Sequence, residues 1–360
     1  MSFFEHFSAF QIVNNKVYYS LSTCNGLFEL DLQTSRSSFI SFFEKEMINV
    51  ERLHLECVLW EDKIVFLPYN GRFISVFDVN QNTLEYIEVN KKTECTFFRG
   101  YIDGGRIVCI PQCLNYDSEG TRNFCVFDLH NNRIEELREI DECLRNLTQI
   151  SFFSLGACES EDAIFVAQNG TNRILRIQKN EWTLSWIEID GIESIASIDI
   201  SNGCIWVTEN HHTRISKVDY SGIVLEQFSD EREESGRVYR AVCNINKKTY
   251  AFPNHSNSIV RVFDGRLYPV IMEEEWKRVD TMTPYFGQIL CYQGNGFLAP
   301  FGCEAFLCIF GNGEMERISI RNEIIEKKEI ISEYITKGVF EFRKEGVLSL
   351  DEYLRLMMNI

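Results

Sequence analysis

The sequence predicts an all-β fold, a seven-bladed β-propeller followed by a helical C-terminal tail. Three observations lead there: an aromatic-rich composition, a four-strand unit that recurs, and a change of periodicity near the C-terminus. Aromatic residues make up 13% of the 360-residue chain, with 28 Phe and 14 Tyr. Such side chains suit the pleated, half-buried surface of strands. Hydrophobic content of 45% and charged content of 25% are ordinary for a globular protein. The length alone allows two or three domains, but all-β folds often run long as one unit.

The recurring unit has four parts. A short apolar strand meets a turn rich in Asn, Gly, Asp or Lys. A strongly apolar second strand follows, then a polar loop, a third strand and a fourth. The second strands read KVYYSL, KIVFLP, RIVCIP, AIFVAQ, CIWVTE, TYAFPN and GFLAPF. Their apolar runs begin at Val17, Ile64, Ile107, Ile164, Ile205, Tyr250 and Phe297, at spacings of 41 to 57 residues. A period in the forties with about four strands is the signature of a propeller blade. One blade cannot bury both faces of its sheet, whereas seven around an axis can. Turn signals every ten residues or so and strands rich in β-branched and aromatic residues exclude helical repeats. Asp31, Asp78, Asp128, Asp219 and Asp264 stand where a strand enters a turn, and there a carboxylate can cap backbone amides.

Blade boundaries are expected near residues 44–52, 90–95, 140–148, 190–194, 229–237 and 272–283, with the propeller over 1–320. The longest spacing holds two long connections, CLNYDSEGTRN and DECLRNLTQ. Residues 321–360 break the pattern. Ile324, Ile325, Ile331, Tyr334 and Ile335 recur at helical spacing with Glu and Lys between them. LSLDEYLRLMM reads as a second short helix with Ser349 as its cap. The expectation is a helical appendage packed on the propeller. A detachable partner-binding helix is the alternative.

Charge and cysteines bound the function. A net charge of −17 opposes binding to nucleic acid, which needs a basic face, and to anionic lipid. Thirteen cysteines lie scattered with no CxxC, many inside apolar runs. They read as small buried hydrophobes and not as a disulfide framework. MSFFEHFSAF has no basic start and no long apolar core, so no secretion signal is expected. No apolar stretch approaches the ~18 residues of a membrane span. The expected compartment is the cytoplasm.

CIWVTENHHTRISKVDYSGIVLEQF and AIFVAQNGTNRILRIQ resemble blades of streptogramin-lyase-like and NHL-type propellers. The VFD strands of blades 2, 3 and 6 look like Kelch or quinoprotein-type blades. The resemblance covers blade architecture over most of the chain and is not specific to function. Its lyase branch implies a metal-assisted lyase with a His and a Glu in the central funnel. Glu209 matches the Glu of one such blade, but no complete catalytic set can be matched.

Candidate chemistry falls on the loops between second and third strands. These open on the same face as the links between blades. They hold Asn70, Glu209, Asn210, His211, His212 and His255. One reading is a metal or acid–base site of Glu209, His211, His212 and His255, with His212 and the asparagines also as ligand contacts. The other is a polar loop with ordinary surface histidines. Adjacent histidines on an extended loop point apart, so no metal site is assigned, and no cofactor.

The innermost strands supply a second group: Glu56, Arg99, Ser197, Arg240 and Gln288. An arginine among apolar strand residues is costly to bury unpaired. Arg99 and Arg240 therefore read either as an anion clamp or as members of internal pairs with Glu56. DEREES (230–235) and MEEEW (272–276) read as solvated connections, and no P-loop, GxGxxG, GxSxG or HExxH is present. Two functions are carried forward. One is a binding or interaction propeller that takes a peptide or a small anionic or polar ligand on the loop face, with room for a protein partner there or on the C-terminal helices. The other is a lyase or hydrolase acting on an anionic substrate in the funnel.

Overall fold

The structure is a computed structural model. It describes residues 7–22, 25–47, 50, 52–89, 96–111, 113–114, 124–137, 150–179, 181–229, 239–254, 259–270, 286–300 and 305–320. These form a seven-bladed β-propeller with no helix among the described residues. Each blade is an antiparallel sheet whose strands lie in chain order. The strands nearest the axis are Phe7–Val13, His54–Trp60, Phe97–Asp103, Ile150–Glu159, Ile195–Ser201, Tyr239–Ile245 and Phe286–Tyr292. Successive blades divide between Ser41 and His54, Glu88 and Phe97, Glu136 and Ile150, Glu188 and Ile195, Ser229 and Tyr239, and Val270 and Phe286, spans that contain the expected boundaries. The expected tail helices lie outside the described residues.

The core consists of apolar seams, one between each pair of neighbouring blades. The second strand of each blade supplies both sides of its sheet. In blade 2, Ile64 and Phe66 face blade 1 while Val65 and Leu67 face blade 3, all wholly buried. This is why these strands read as continuous apolar runs and not as alternation.

Among the described residues the ring closes by side-chain packing. Blade 1 is built from Phe7–Ser41 and blade 7 from Phe286–Ser319, and neither lends a strand to the other. The closing seam buries Phe7, Phe10, Phe297 and Phe306. Phe306 meets Phe10 edge-on at 5.6 Å and lies 6.0 Å from Phe7. Burying such side chains is worth about 1.5–3 kcal/mol each.

One connection departs from the simple repeat. Sequence reading treats CLNYDSEGTRN as a loop of blade 3. Its first residues, Cys113–Leu114, instead form a short strand that pairs with Ser151 and Ile150 on the axial edge of blade 4. An open strand edge there accepts the hydrogen bonds that a loop would leave to water.

Candidate functional site

Loops between second and third strands share one face with the links between blades, and hydrogen bonds tie them together. Asn25 in the loop of blade 1 donates to Phe43 O at 3.1 Å and accepts from Phe43 N at 2.9 Å, on the link to blade 2. Glu46 on that link accepts the backbone amides of Arg72 and Phe73 at 2.7 and 2.8 Å. Asn172 in blade 4 donates to Ile189 O at 3.0 Å. The loop face is thereby a knit surface. Many of its asparagines and acids serve the turn geometry that their residue types favour.

Every first strand shifts register near its loop-face end, by a one-residue β-bulge in six blades and by a longer offset in blade 4. The ladder shifts between Phe7 and Ala9, His54 and Glu56, Phe97 and Arg99, Phe152 and Ala157, Ile195 and Ser197, Tyr239 and Ala241, and Phe286 and Ile289. In four blades the residue before the bulge faces a proline that ends the second strand: Pro68, Pro111, Pro253 and Pro300. Proline has no amide to give the ladder, so pairing is already broken there. The extra residue is Ser8 in blade 1, Leu55 in blade 2, Phe98 in blade 3, Ala196 in blade 5 and Arg240 in blade 6. Bulges re-aim side chains at sheet edges and beside binding sites. Here they fall at the same end of each first strand, the end that meets the loop face.

Below the mouth, polar side chains of the first strands satisfy the axial edges of other blades. The Ser8 hydroxyl donates to His54 O, and the Gln288 amide reaches past blade 1 to Leu55 O. Ser197 Oγ accepts Val242 N at 3.2 Å. Asp199 accepts Asn244 N at 2.6 Å, Asn244 Nδ2 at 2.9 Å and Ile200 N at 2.8 Å. Burial pushes the Asp199 carboxyl up, and these donors pull the other way. Ser197 and Gln288, two residues of the row that reads as a ligand column, thus bond the axial edges of other blades.

Arg99 donates to Glu56, and the two form a largely buried ion pair between blades 2 and 3. Burial pushes the Glu56 carboxyl up, and the Arg99 guanidinium opposes it. Arg99 itself keeps its charge: burial acts against it, but the Glu56 carboxylate outweighs that and holds its pKa above the ordinary range. Of the two readings of Arg99, the structure contains the internal pair. Arg240 is half-buried at the bulge of blade 6.

The TENHHT stretch separates into parts. Glu209 is the last residue of strand Cys204–Glu209 and is wholly buried. Its Oε2 accepts from Arg214 Nη2 at 2.8 Å, while Oε1 has no hydrogen-bond partner. Asn210 donates to Ser194 Oγ at 2.7 Å and to Ile195 O at 3.0 Å, so it fastens the loop to the link from blade 4. His211 is exposed and His212 half-exposed. Asn70 is exposed on the loop of blade 2, its amide on Arg52 O at 3.2 Å. His255 lies outside the described residues. No cluster of three or more His, Cys, Asp or Glu able to hold a metal occurs among the described residues.

Three residues that sequence reading left out belong to this region. Asp199 and Asn244 link blades 5 and 6, and a polar residue inside the apolar runs SIDIS and AVCNI was the available signal. His54 is completely buried between Phe43 and Phe66, at ring distances of 4.5 and 5.3 Å, and neither ring nitrogen has a partner. Burial lowers its pKa to about 3, so it is neutral.

No family model and no curated protein matches the chain. Solved structures do. A streptogramin B lyase aligns with a TM-score of 0.52 at 15% identity, covering 74% of this chain and 83% of that one. The computationally designed Ika8 protein aligns with a TM-score of 0.55 at 8% identity, covering 87% and 86%. Kluyvelomyces marxianus Hsv2 gives 0.52 at 8%, covering 88% and 100%. At such identities the likeness establishes the fold. It joins a lyase to propellers described in other terms, so it selects no activity.

Proposed function

We propose that this propeller is a binding protein that takes a small anionic or polar ligand, such as a peptide carboxylate, at the loop-face mouth of its funnel. The observation that carries this reading is the recurring bulge, with Arg240 as the bulged residue of blade 6. A bulge turns a strand residue toward a site, and a guanidinium grips carboxylate or phosphate through two parallel hydrogen bonds. His211, His212 and Asn70 stand on the surrounding loops, where they would meet a ligand's outer part. A peptide end would place its carboxylate at the mouth and its side chains on the loops.

The lyase reading ranks second. It asks for a Glu and a His that face a substrate together. Glu209 is instead buried and bound to Arg214, and Arg99 is engaged with Glu56. Cytoplasmic placement belongs to the same proposal. It is supported by the free thiols of Cys57, Cys158, Cys204 and Cys308 among others, which suit a reducing compartment. The test is a thermal-shift screen of the purified chain against citrate, inorganic phosphate and short peptides with free C-termini. Each hit is incubated and analysed for products, and the protein is assayed for bound metal. Stabilisation without turnover supports the proposal. Turnover with a stoichiometric divalent metal replaces it with the lyase.

A further inference from the structure

We infer that Cys243 and Cys291 form a redox-active dithiol at the seam between blades 6 and 7, with a hydroperoxide as oxidant. The observation is geometric. Cys243 Sγ lies 3.0 Å from Cys291 Sγ, although 48 residues separate them in the chain. That is about 1 Å beyond the length of a disulfide bond. The two sit on adjacent first strands, Tyr239–Ile245 and Phe286–Tyr292, so a small approach of two blades closes the gap.

Their surroundings differ in the way a two-step oxidation requires. Cys291 is exposed, so a soluble oxidant meets its sulfur first. Cys243 is buried behind it. The contact with Cys291 and then burial push the Cys243 thiol well above its usual range, so the inner sulfur keeps its proton until the outer one has reacted. Cys291 Sγ also lies 3.6 Å from the backbone oxygen of Asn244, the residue that binds Asp199 through its amide and side chain. The pair therefore adjoins the polar lining of the funnel.

The chemistry balances with one equivalent of hydroperoxide. Cys291 sulfur attacks the O–O bond and becomes a sulfenic acid, and the alcohol leaves, or water where the oxidant is hydrogen peroxide. Cys243 sulfur then displaces the hydroxyl from Cys291 sulfur, forming the S–S bond and releasing one water. The two thiols lose two electrons, and the peroxide gains them. In a reducing compartment such a bond is transient, the form that redox-sensing disulfides take. The closed loop staples blade 6 to blade 7 and restricts the unfolded chain.

The test treats the full chain with hydrogen peroxide and maps its peptides without reduction. A Cys243–Cys291 linked peptide should dominate, vanish with dithiothreitol, and accompany a rise of several degrees in melting temperature. Cys291→Ser, at an exposed position, should lose both the link and the rise. Cys243→Ala should leave Cys291 as a sulfenic acid that dimedone traps. Three results would overturn the inference: no oxidation at Cys291, oxidation of Cys291 without the link, or a link from either cysteine mainly to a third. None of these readouts involves the proposed ligand.

Discussion

His54 shows how one side chain sets a pH limit on the ring. Its imidazole is packed between Phe43 and Phe66 with no partner for either nitrogen. An unfolded histidine titrates near 6.5 and this one near 3, because burial opposes the charge. Between those values the unfolded chain binds the extra proton. Stability is therefore full above about 6.5 and is lost as pH falls toward 3. The loss approaches the order of 4–5 kcal/mol at the acid end. His54→Phe removes the titrating group and keeps an aromatic between its neighbours. Its melting temperature should gain on wild type steadily from pH 7 to pH 4. Equal acid loss in both proteins would assign the effect to other groups. The buried carboxyls act in the opposite sense, since those of Glu56 and Asp199 are raised and cost stability as pH rises above the ordinary carboxylate range.

Strands and their junctions carry the next level of control. In the first strand of blade 3, Gly100 follows Arg99 and leaves room for blade 2. A Cβ there would lie 2.5 Å from Leu67 Cδ1 and 3.0 Å from Ile107 Cγ2. Gly100→Ala should cost about 1–3 kcal/mol through overpacking, read as a lower urea midpoint with an unchanged slope. An unchanged midpoint would show that this seam relaxes freely. The strands themselves were legible because their apolar runs recur with turn residues between them. The bulges were legible in principle, since FLP, CIP, AFP and LAP end second strands in proline. The site was not. Glu209, Asn210, His211 and His212 read as one polar group, yet Glu209, the last residue of strand Cys204–Glu209, is buried. Arg214, at the start of the third strand, was missed as the partner of Glu209, and the Arg99–Glu56 pair stayed one of two readings because it depends on how sheets meet, which local pattern does not encode. The short strand Cys113–Leu114 was missed for the same reason, because its partner belongs to the next blade.

At the scale of the whole molecule, the account makes ring closure a matter of packed side chains. Phe306 stands at that seam, with Phe10, Phe7 and Phe297 within 6.0 Å of its ring. Phe306→Ala removes a fully buried aromatic and should cost about 3–5 kcal/mol. The loss should appear in one cooperative transition, because each blade is half of two seams. A separate early transition of blade 1 would show that the ring opens before it melts. The funnel that this closure shapes is the setting for the proposed ligand. Internal hydrogen bonds hold Ser8, Gln288, Ser197 and Asp199 of its first strands, and recognition is proposed to rest on Arg240 at the bulge of blade 6.

The most direct measurement is calorimetric titration of the strongest anion from the screen into wild type, Arg240→Lys, Arg99→Lys and His211→Ala. The account predicts that Arg240→Lys weakens binding about ten- to a hundredfold, the effect of losing about 1.5–3 kcal/mol of a charge-assisted bidentate contact. Arg99→Lys should lower stability and leave affinity nearly unchanged, since its partner is Glu56. Wild-type affinity in Arg240→Lys, with a loss confined to Arg99→Lys or His211→Ala, would contradict the account and move the site to the channel belt or the rim loop.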